Sequence, residues 1–426
     1  MALTDMRIFR QLVIVLLPAL WLGGLPAEAA TPRAFRLLSE SNTEAVGLTP
    51  AGTLTWSNQL PAGRFQVEQN FNLSTGQWHS FISGPATATW HSLKLWDFNA
   101  PTGMVYIPAG DYVRGDGYAW DLRSLPVHTA WVSAIYMDRR EVTKALWDEV
   151  RDWGLTNGFT DLSVGVGGGK RVMVTVTNDG VPTNIWVNIE AGPEHPVVYI
   201  TWYDMAKWSN ARSLRESLTP PYYTDTALTT VYRTGQVDLA TNQVNWECTG
   251  YRLPTEAEWE KGARGGLIQH HYPWPSTGTS LPDVIDGTRA NYWESRDVFD
   301  QGTTPAGYYD GSQVVTNELG EIQPVQDMAN AYGLYDMCGN VWEWCWDYYS
   351  FTSYTWAVQN TNLRDIRGPP FHDTAQPYRV DRGGSWRTST NALNDMRCVQ
   401  RWFETAGWAS PSLHRGFRTV RRPVTP

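Results

Sequence analysis

Tyr332-Gly333-Leu334-Tyr335-Asp336-Met337-Cys338-Gly339-Asn340-Val341-Trp342-Glu343-Trp344 is the stretch of this 426-residue chain whose reading decides the fold. A hard cation such as calcium takes six to eight oxygens, mixing carboxylates with main-chain carbonyls in an irregular loop. Asp336 and Glu343, with the carbonyls of Gly339 and Val341 between them, supply such a set. Spacing alone leaves an ordinary capped loop as the competing reading. The tryptophans belong to a wider pattern, since the chain has 23 Trp, 20 Tyr and 12 Phe. So many bulky side chains with one polar handle or none suit a loop-rich fold pinned by aromatic wedges.

Working outward, helix signals are few. Thr143 caps a helix from Lys144 to about Trp153, and Thr201 caps another from Trp202 to about Leu214. Thr255-Glu256-Ala257-Glu258 is a capping box that opens a third helix after Pro254. Arg171–Thr177 and Ile185–Ile189 flank Asn178-Asp179-Gly180 and predict a hairpin. Met104-Val105-Tyr106-Ile107 reads as a strand closed by Pro108-Ala109-Gly110. Beyond Gly265 regular periodicity nearly vanishes, which describes an α+β fold with little regular secondary structure.

Residues 31–100 have a different texture, with Thr53–Trp56, Arg64–Glu68 and Trp90–Leu95 alternating or running apolar between Gly, Pro and Asn breaks. They predict a small β-sandwich-like module that carries no catalytic constellation, joined through Asn99-Ala100-Pro101-Thr102-Gly103. Residues 1–29 read as a signal peptide: Arg7 and Arg10, an apolar run from Leu12 to Leu25, then Ala27-Glu28-Ala29. That run is too short for a span of about 20 residues, so export to the periplasm or the medium is expected, with no stable membrane span after cleavage. The remainder, 101–423, is the main domain.

Charge narrows the function further. Lys+Arg number 34 against 43 Asp+Glu, a net charge of -9, and no basic run is present, which argues against nucleic acid as a partner. Gly165-Val166-Gly167-Gly168-Gly169-Lys170 is followed by Arg171 and a hairpin rather than by Ser or Thr and a helix, so it is not a phosphate loop. No H-E-x-x-H is present, and none of Cys248, Cys338, Cys345 and Cys398 forms a C-x-x-C pair. In an exported chain, Cys345 and Cys398 are candidates for a disulfide, with Cys338 as a competitor.

From about Met104 to Arg422 the chain resembles the formylglycine-generating enzyme (sulfatase-modifying factor) family. The residues that carry the resemblance are Gly250–Glu260, Tyr332–Trp344, Arg382-Gly383-Gly384-Ser385-Trp386 and Gly416-Phe417-Arg418. Upstream, Tyr136-Met137-Asp138, Glu141-Val142-Thr143 and His195-Pro196-Val197 fit the same pattern. The resemblance implies a C-type-lectin-like α+β fold braced by calcium. One family calcium site maps onto Asp336, Gly339, Val341 and Glu343, and a second onto Asn291, Tyr292, Asp310 and Ser312.

The family's namesake oxidises a sulfatase cysteine to formylglycine with oxygen and a Cu(I) held by two cysteines. Ser385 matches a family active-site position, but the two copper-ligand positions fall on Thr388 and Leu393, and neither side chain offers the soft thiolate that Cu(I) selects. Copper is therefore not expected. The iron-dependent sulfoxide synthases resemble this domain too, but their iron histidines come from a helical domain, and residues 31–100 are β-like. The resulting expectation is an exported binding or accessory protein for a protein or glycan ligand. Arg387, Asn391, Asn394, Trp402 and Trp408 would form its surface. The alternative is an oxidoreductase acting on a protein cysteine or small thiol.

Overall fold

The computed structural model describes residues 11–16, 34–39, 43–49, 52–58, 63–70, 79–85, 90–97, 99–117, 122–178, 181–274, 283–299, 301–370, 377–407 and 413–423. Each helix with a capping signal is present. In α1 (Lys144–Thr156) the Thr143 hydroxyl accepts from the Leu146 amide, 3.3 Å away. In α2 (Trp202–Arg215) Thr201 and Asp204 cap one another reciprocally. In α3 (Glu256–Arg264) the Glu258 amide donates to Thr255 Oγ1 at 3.2 Å, and the Glu258 carboxylate accepts from the Thr255 amide at 2.8 Å. α3 stops at Gly265, whose φ of 54° is the left-handed conformation that glycine adopts without a steric penalty. A fourth helix, α4 (Ser353–Asn360), has no side-chain cap bond at Thr352, which is why the sequence does not announce it.

The sheets are short and mostly antiparallel. A four-stranded sheet orders Arg401–Thr405, Tyr378–Arg382, Trp342–Tyr348 and Arg415–Gly416, the last parallel to its neighbour. A three-stranded sheet places Ile135–Asp138 between Met104–Ile107 and Val420–Arg421, so the two ends of the main domain meet. The expected hairpin pairs Lys170–Asn178 with Val181–Ile189. At its base a Cβ on Gly169 would come within 2.1 Å of the Ile189 carbonyl oxygen, so this glycine serves backbone packing. Among the described residues no helix is long and apolar enough to cross a membrane.

The N-terminal module is two packed sheets. Thr43–Leu48, Thr53–Asn58 and Trp90–Lys94 form one. Ala34–Ser39, Arg64–Asn70 and His79–Pro85 lie in the other, with Gln11–Leu16, from the expected leader, along one edge. Phe35, Leu37, Leu54, Trp56, Phe65 and Val67 fill the space between the sheets. The second sheet runs on into the main domain through a pairing of Ser83 with Asp111, and the hairpin Gly110–Arg114 and His128–Val132 completes it. Tyr332 closes the joint by donating its hydroxyl to the Phe81 carbonyl at 2.9 Å. The boundary near residue 100 is therefore a packed seam, with Asn99–Gly103 hydrogen-bonded on both sides of it.

α3 organises the main core. Glu256 and Glu260, one turn apart on one face, are 1% and 0% exposed. Glu256 takes Arg114 at 2.9 Å and Arg401; Glu260 takes Arg382 at 2.7 Å, Arg264 at 2.9 Å and the Tyr354 hydroxyl at 2.6 Å. Burial alone would raise the Glu260 pKa, but Arg264, Arg382 and Arg114 outweigh it and hold it at about 2. Because that lies below the ordinary value of 4.5, the stabilisation from Glu260 is complete above about 4.5 and is lost as the pH falls toward about 2. Glu260→Ala would strand Arg382 and Arg264 in the core, and breaking such a buried pair is expected to cost about 3–5 kcal/mol in urea unfolding. A loss below about 1 kcal/mol, the worth of a surface pair, would contradict this account.

Candidate functional site

The Asp336–Glu343 loop meets two other segments at one place. The Gly339 amide donates to the Gly383 carbonyl at 2.9 Å, the Trp386 amide to the Asn340 carbonyl at 2.9 Å, and the Asn340 amide to the Asn291 carbonyl at 3.0 Å. Gly339 has φ 94°, and a Cβ there would lie 2.3 Å from the Asn291 oxygen, so the close approach requires glycine. The structure thus joins the two sequence segments expected to hold separate cations.

Within this junction the acids differ. Glu343 is 0% exposed and already engaged: Arg418 forks onto it at 2.6 and 2.7 Å, and the Trp259 indole donates at 2.7 Å. Glu141 is buried against a second acid, Asp336, and no amide, hydroxyl or guanidinium donor reaches either of its oxygens. Burial, with the nearby Asp336 and Glu343, pushes its pKa well up. Burial also raises Asp336, against the Gly307 amide that donates to it. Two buried carboxyls facing one another are costly unless they share a proton or meet a cation.

Among the described residues no three His, Cys, Asp or Glu side chains are arranged to hold a metal. A calcium ion here would therefore take two acids, Glu141 and Asp336, plus main-chain oxygens such as those of Gly339 and Val341. Those are hard oxygen donors and fit the ion. Glu141 escapes spacing analysis because it lies in a different segment, ahead of α1; the Glu141-Val142-Thr143 motif is its only signal.

At the second expected cation position, Asn291 and Tyr292 are buried. Asp310 and Ser312 instead bond each other in an exposed turn, amide to carboxylate at 2.9 Å and hydroxyl to carboxylate at 2.6 Å. The buried acid beside Asn291 is Asp297, 5% exposed, which accepts from Ser295 Oγ at 2.7 Å and from the Tyr309 hydroxyl at 3.0 Å.

Ser385 and Thr388 form a closed turn. The Ser385 amide donates to Thr388 Oγ1 at 3.2 Å, the Thr388 amide returns to the Ser385 carbonyl at 2.9 Å, and Ser385 Oγ accepts from the Arg387 amide at 3.3 Å. Leu393 packs beside Tyr272, Cys338 and Met396. Arg387 is exposed within this turn, and Asn391 and Asn394 are exposed on the short 3-10 helix Thr390–Met396 that follows it. Trp402 belongs to another element, the edge strand Arg401–Thr405, where it is 39% exposed, stacks on Phe403 and faces Arg123. Trp408 lies outside the described residues.

The cysteines correct one expectation. All four are free and buried, so Cys345 and Cys398 are not bridged. Burial raises every thiol, Cys398 to about 12 and Cys338 and Cys345 well above the usual range. The charges around Cys345 are Asp347, Arg382 and Glu256, whereas Cys338 and Cys398 act on one another.

An α+β scaffold of short sheets, three capped helices and long hydrogen-bonded loops is the C-type-lectin-like architecture of formylglycine-generating proteins. Residues 97–423 match the sulfatase-modifying factor enzyme 1-like domain, and the chain belongs to that family. It is 29% identical over 349 residues to the formylglycine-generating enzyme of Thermomonospora curvata, across 76% of this chain and 94% of the relative. It is 34% identical over 203 residues to the chaperone protein LppX of Paenibacillus barcinonensis, covering 47% of this chain and 62% of LppX, less than two thirds of that relative. Among solved structures, CarF aligns at a TM-score of 0.46 and 25% identity, over 76% of this chain and all of CarF.

Two outcomes follow from the geometry. Excess chelator should lower the melting temperature, by the equivalent of about 2.7 kcal/mol if calcium had been present at a hundred times its dissociation constant. Glu141→Gln should abolish most of that response while leaving the Arg418–Glu343 pair intact; an unchanged melting curve in chelator would sink the calcium assignment. The thiols should stay silent to a disulfide reagent until denaturant is added, and one rapidly reacting thiol in the native protein would contradict their burial.

Proposed function

We propose that this protein is an exported, calcium-braced member of its family that works by binding, as an accessory or chaperone-like factor, and does not generate formylglycine. The observation that carries the reading is the closed Ser385–Thr388 turn. Where the family's copper chemistry needs two thiolates, this chain has a hydroxyl already hydrogen-bonded within the turn and, at Leu393, an apolar side chain. Its four thiols are buried and held protonated, so none is poised to substitute.

The turn supports the exposed Arg387, Asn391 and Asn394, which offer a guanidinium and two amides to a polar ligand. A protein segment is the favoured ligand, since one relative is named a chaperone protein. A glycan is the second choice. The leader-like run at Leu12–Leu25 supports export to the periplasm or beyond. The oxidase reading rests on the 29% identity to a formylglycine-generating enzyme over most of both chains.

The experiment that separates the two incubates the full chain with a C-x-P-x-R peptide, Cu(I) and a reductant, followed by mass spectrometry. The expected result is unconverted cysteine peptide and no competition with a Cu(I) chelator. A formylglycine product that depends on this protein would restore the oxidase.

A further inference from the structure

The sheet that joins the N-terminal module to the main domain has two edges, and the main domain closes one of them. At the His128–Val132 edge, the Trp131 amide donates to the Leu363 carbonyl at 2.7 Å and the Asp365 amide to the Trp131 carbonyl at 2.9 Å. At the other edge the last strand is Gln11–Leu16, which pairs antiparallel with all six residues of Ala34–Ser39, from Gln11 opposite Ser39 to Leu16 opposite Ala34. That strand lies inside the expected leader. Cleavage after Ala29 removes it and leaves Ala34–Ser39 as the edge, with one row of main-chain N–H and C=O groups unpaired.

The residues left ahead of this edge could not close it. Ala30, Thr31, Pro32 and Arg33 are too few to turn back and pair along it, and Pro32 has no N–H to give. The edge also lacks the devices that usually blunt one. Ala34-Phe35-Arg36-Leu37-Leu38-Ser39 contains no Pro and no Lys, and its register with Arg64–Asn70 on the inner side runs without a bulge. Its single charge, Arg36, is paired with Glu68 on that inner neighbour.

We propose that removal of the leader opens the Ala34–Ser39 edge to an extended apolar segment of another protein, which joins the sheet as its outer strand in the antiparallel register that the leader holds. This rests on the proposed export, since without cleavage the edge stays filled. Main-chain hydrogen bonds supply affinity in such an addition, and alternate side chains supply selection. Residues directly opposite in an antiparallel pair share a face of the sheet. Segment residues opposite Phe35 and Leu37, at the places of Val15 and Val13, therefore border the buried core of the module. Those opposite Arg36 and Leu38, at the places of Ile14 and Leu12, border a half-buried outer face. A second copy of this chain suits the edge less well. Two such strands paired with their core faces on one side set the polar Ser39 against Phe35 or, in the neighbouring register, Arg36 against its own image.

The test exports the chain through the periplasm of an expression host and reads the N-terminus of the purified protein by mass spectrometry. The probe is a fluorescent peptide of Gln11–Leu16 with lysines added at each end for solubility, followed by polarisation. The processed chain should bind it, and the full chain made in the cytoplasm with its leader should bind roughly tenfold more weakly or worse. A peptide with Val13→Asp and Val15→Asp should lose roughly tenfold or more, because its charges are driven against the module core. A peptide with Leu12→Asp and Ile14→Asp, of equal charge, should stay within about threefold of the parent. A leader still attached to the periplasmic protein would defeat the export reading and this proposal with it. A processed chain that ignores the peptide, that rejects both aspartate peptides equally, or that forms a dimer which the peptide cannot enter would overturn the proposal and leave export standing.

Discussion

Two buried glutamates one helical turn apart, Glu256 and Glu260, are the constraint on which the main domain depends. The arginines they gather come from distant segments: Arg114 from the hairpin at the module seam, Arg382 and Arg401 from neighbouring strands of the four-stranded sheet, and Arg264 from α3 itself. Apolar packing is non-directional, so a chain with few helices needs directional contacts to hold its loops in one arrangement. A fully buried ion pair adds little net stability over an apolar replacement, but losing one partner is severe. The network therefore selects one fold more than it deepens it.

The aromatic excess serves the same arrangement. Arg114 lies over Tyr354 at 4.0 Å, and Arg379 lies over Tyr348 at 3.6 Å and Trp202 at 3.8 Å. An aromatic face is a surface on which a guanidinium can be buried without a carboxylate for each charge. Arg379, fully buried, has carbonyl and aromatic partners: Trp346 O at 2.6 Å and the rings above. This is how so loop-rich a chain tolerates arginines in its interior.

The site inherits its rigidity from that frame. Arg382 ends the strand that leads directly into Gly383–Trp386, and Trp342–Tyr348 emerges directly from the Asp336–Glu343 loop and is buried at every position. Those strands are neighbours, Glu343 opposite Arg382, so fixing Arg382 on Glu260 also fixes the turn that ends in Thr388. Arg418 performs the matching task on Glu343, reaching the Asp138 and Tyr335 carbonyls with its remaining donors. The exposed segment beyond Thr388, the 3-10 helix Thr390–Met396, is thereby carried on a rigid base.

Local signals in the chain were enough for much of this. Thr143, Thr201 and Thr255 marked three helices because a cap is a short-range hydrogen bond between residues three apart, visible in sequence. The Asp336–Glu343 spacing and the motif set marked the fold and the loop where the segments meet. Interactions between distant segments could not be read in this way. That Glu343 is taken by Arg418 while Glu141 is left facing Asp336, that Asp297 rather than Asp310 stands beside Asn291, that Cys345 and Cys398 stay unbridged, and that a cavity opens where Phe81 meets Arg264 all depend on side chains from separate segments converging. The sequence alone determined which residues are capable of each contact; the tertiary structure decided which contacts form, because a buried charge or thiol is defined by the neighbours that exclude water from it.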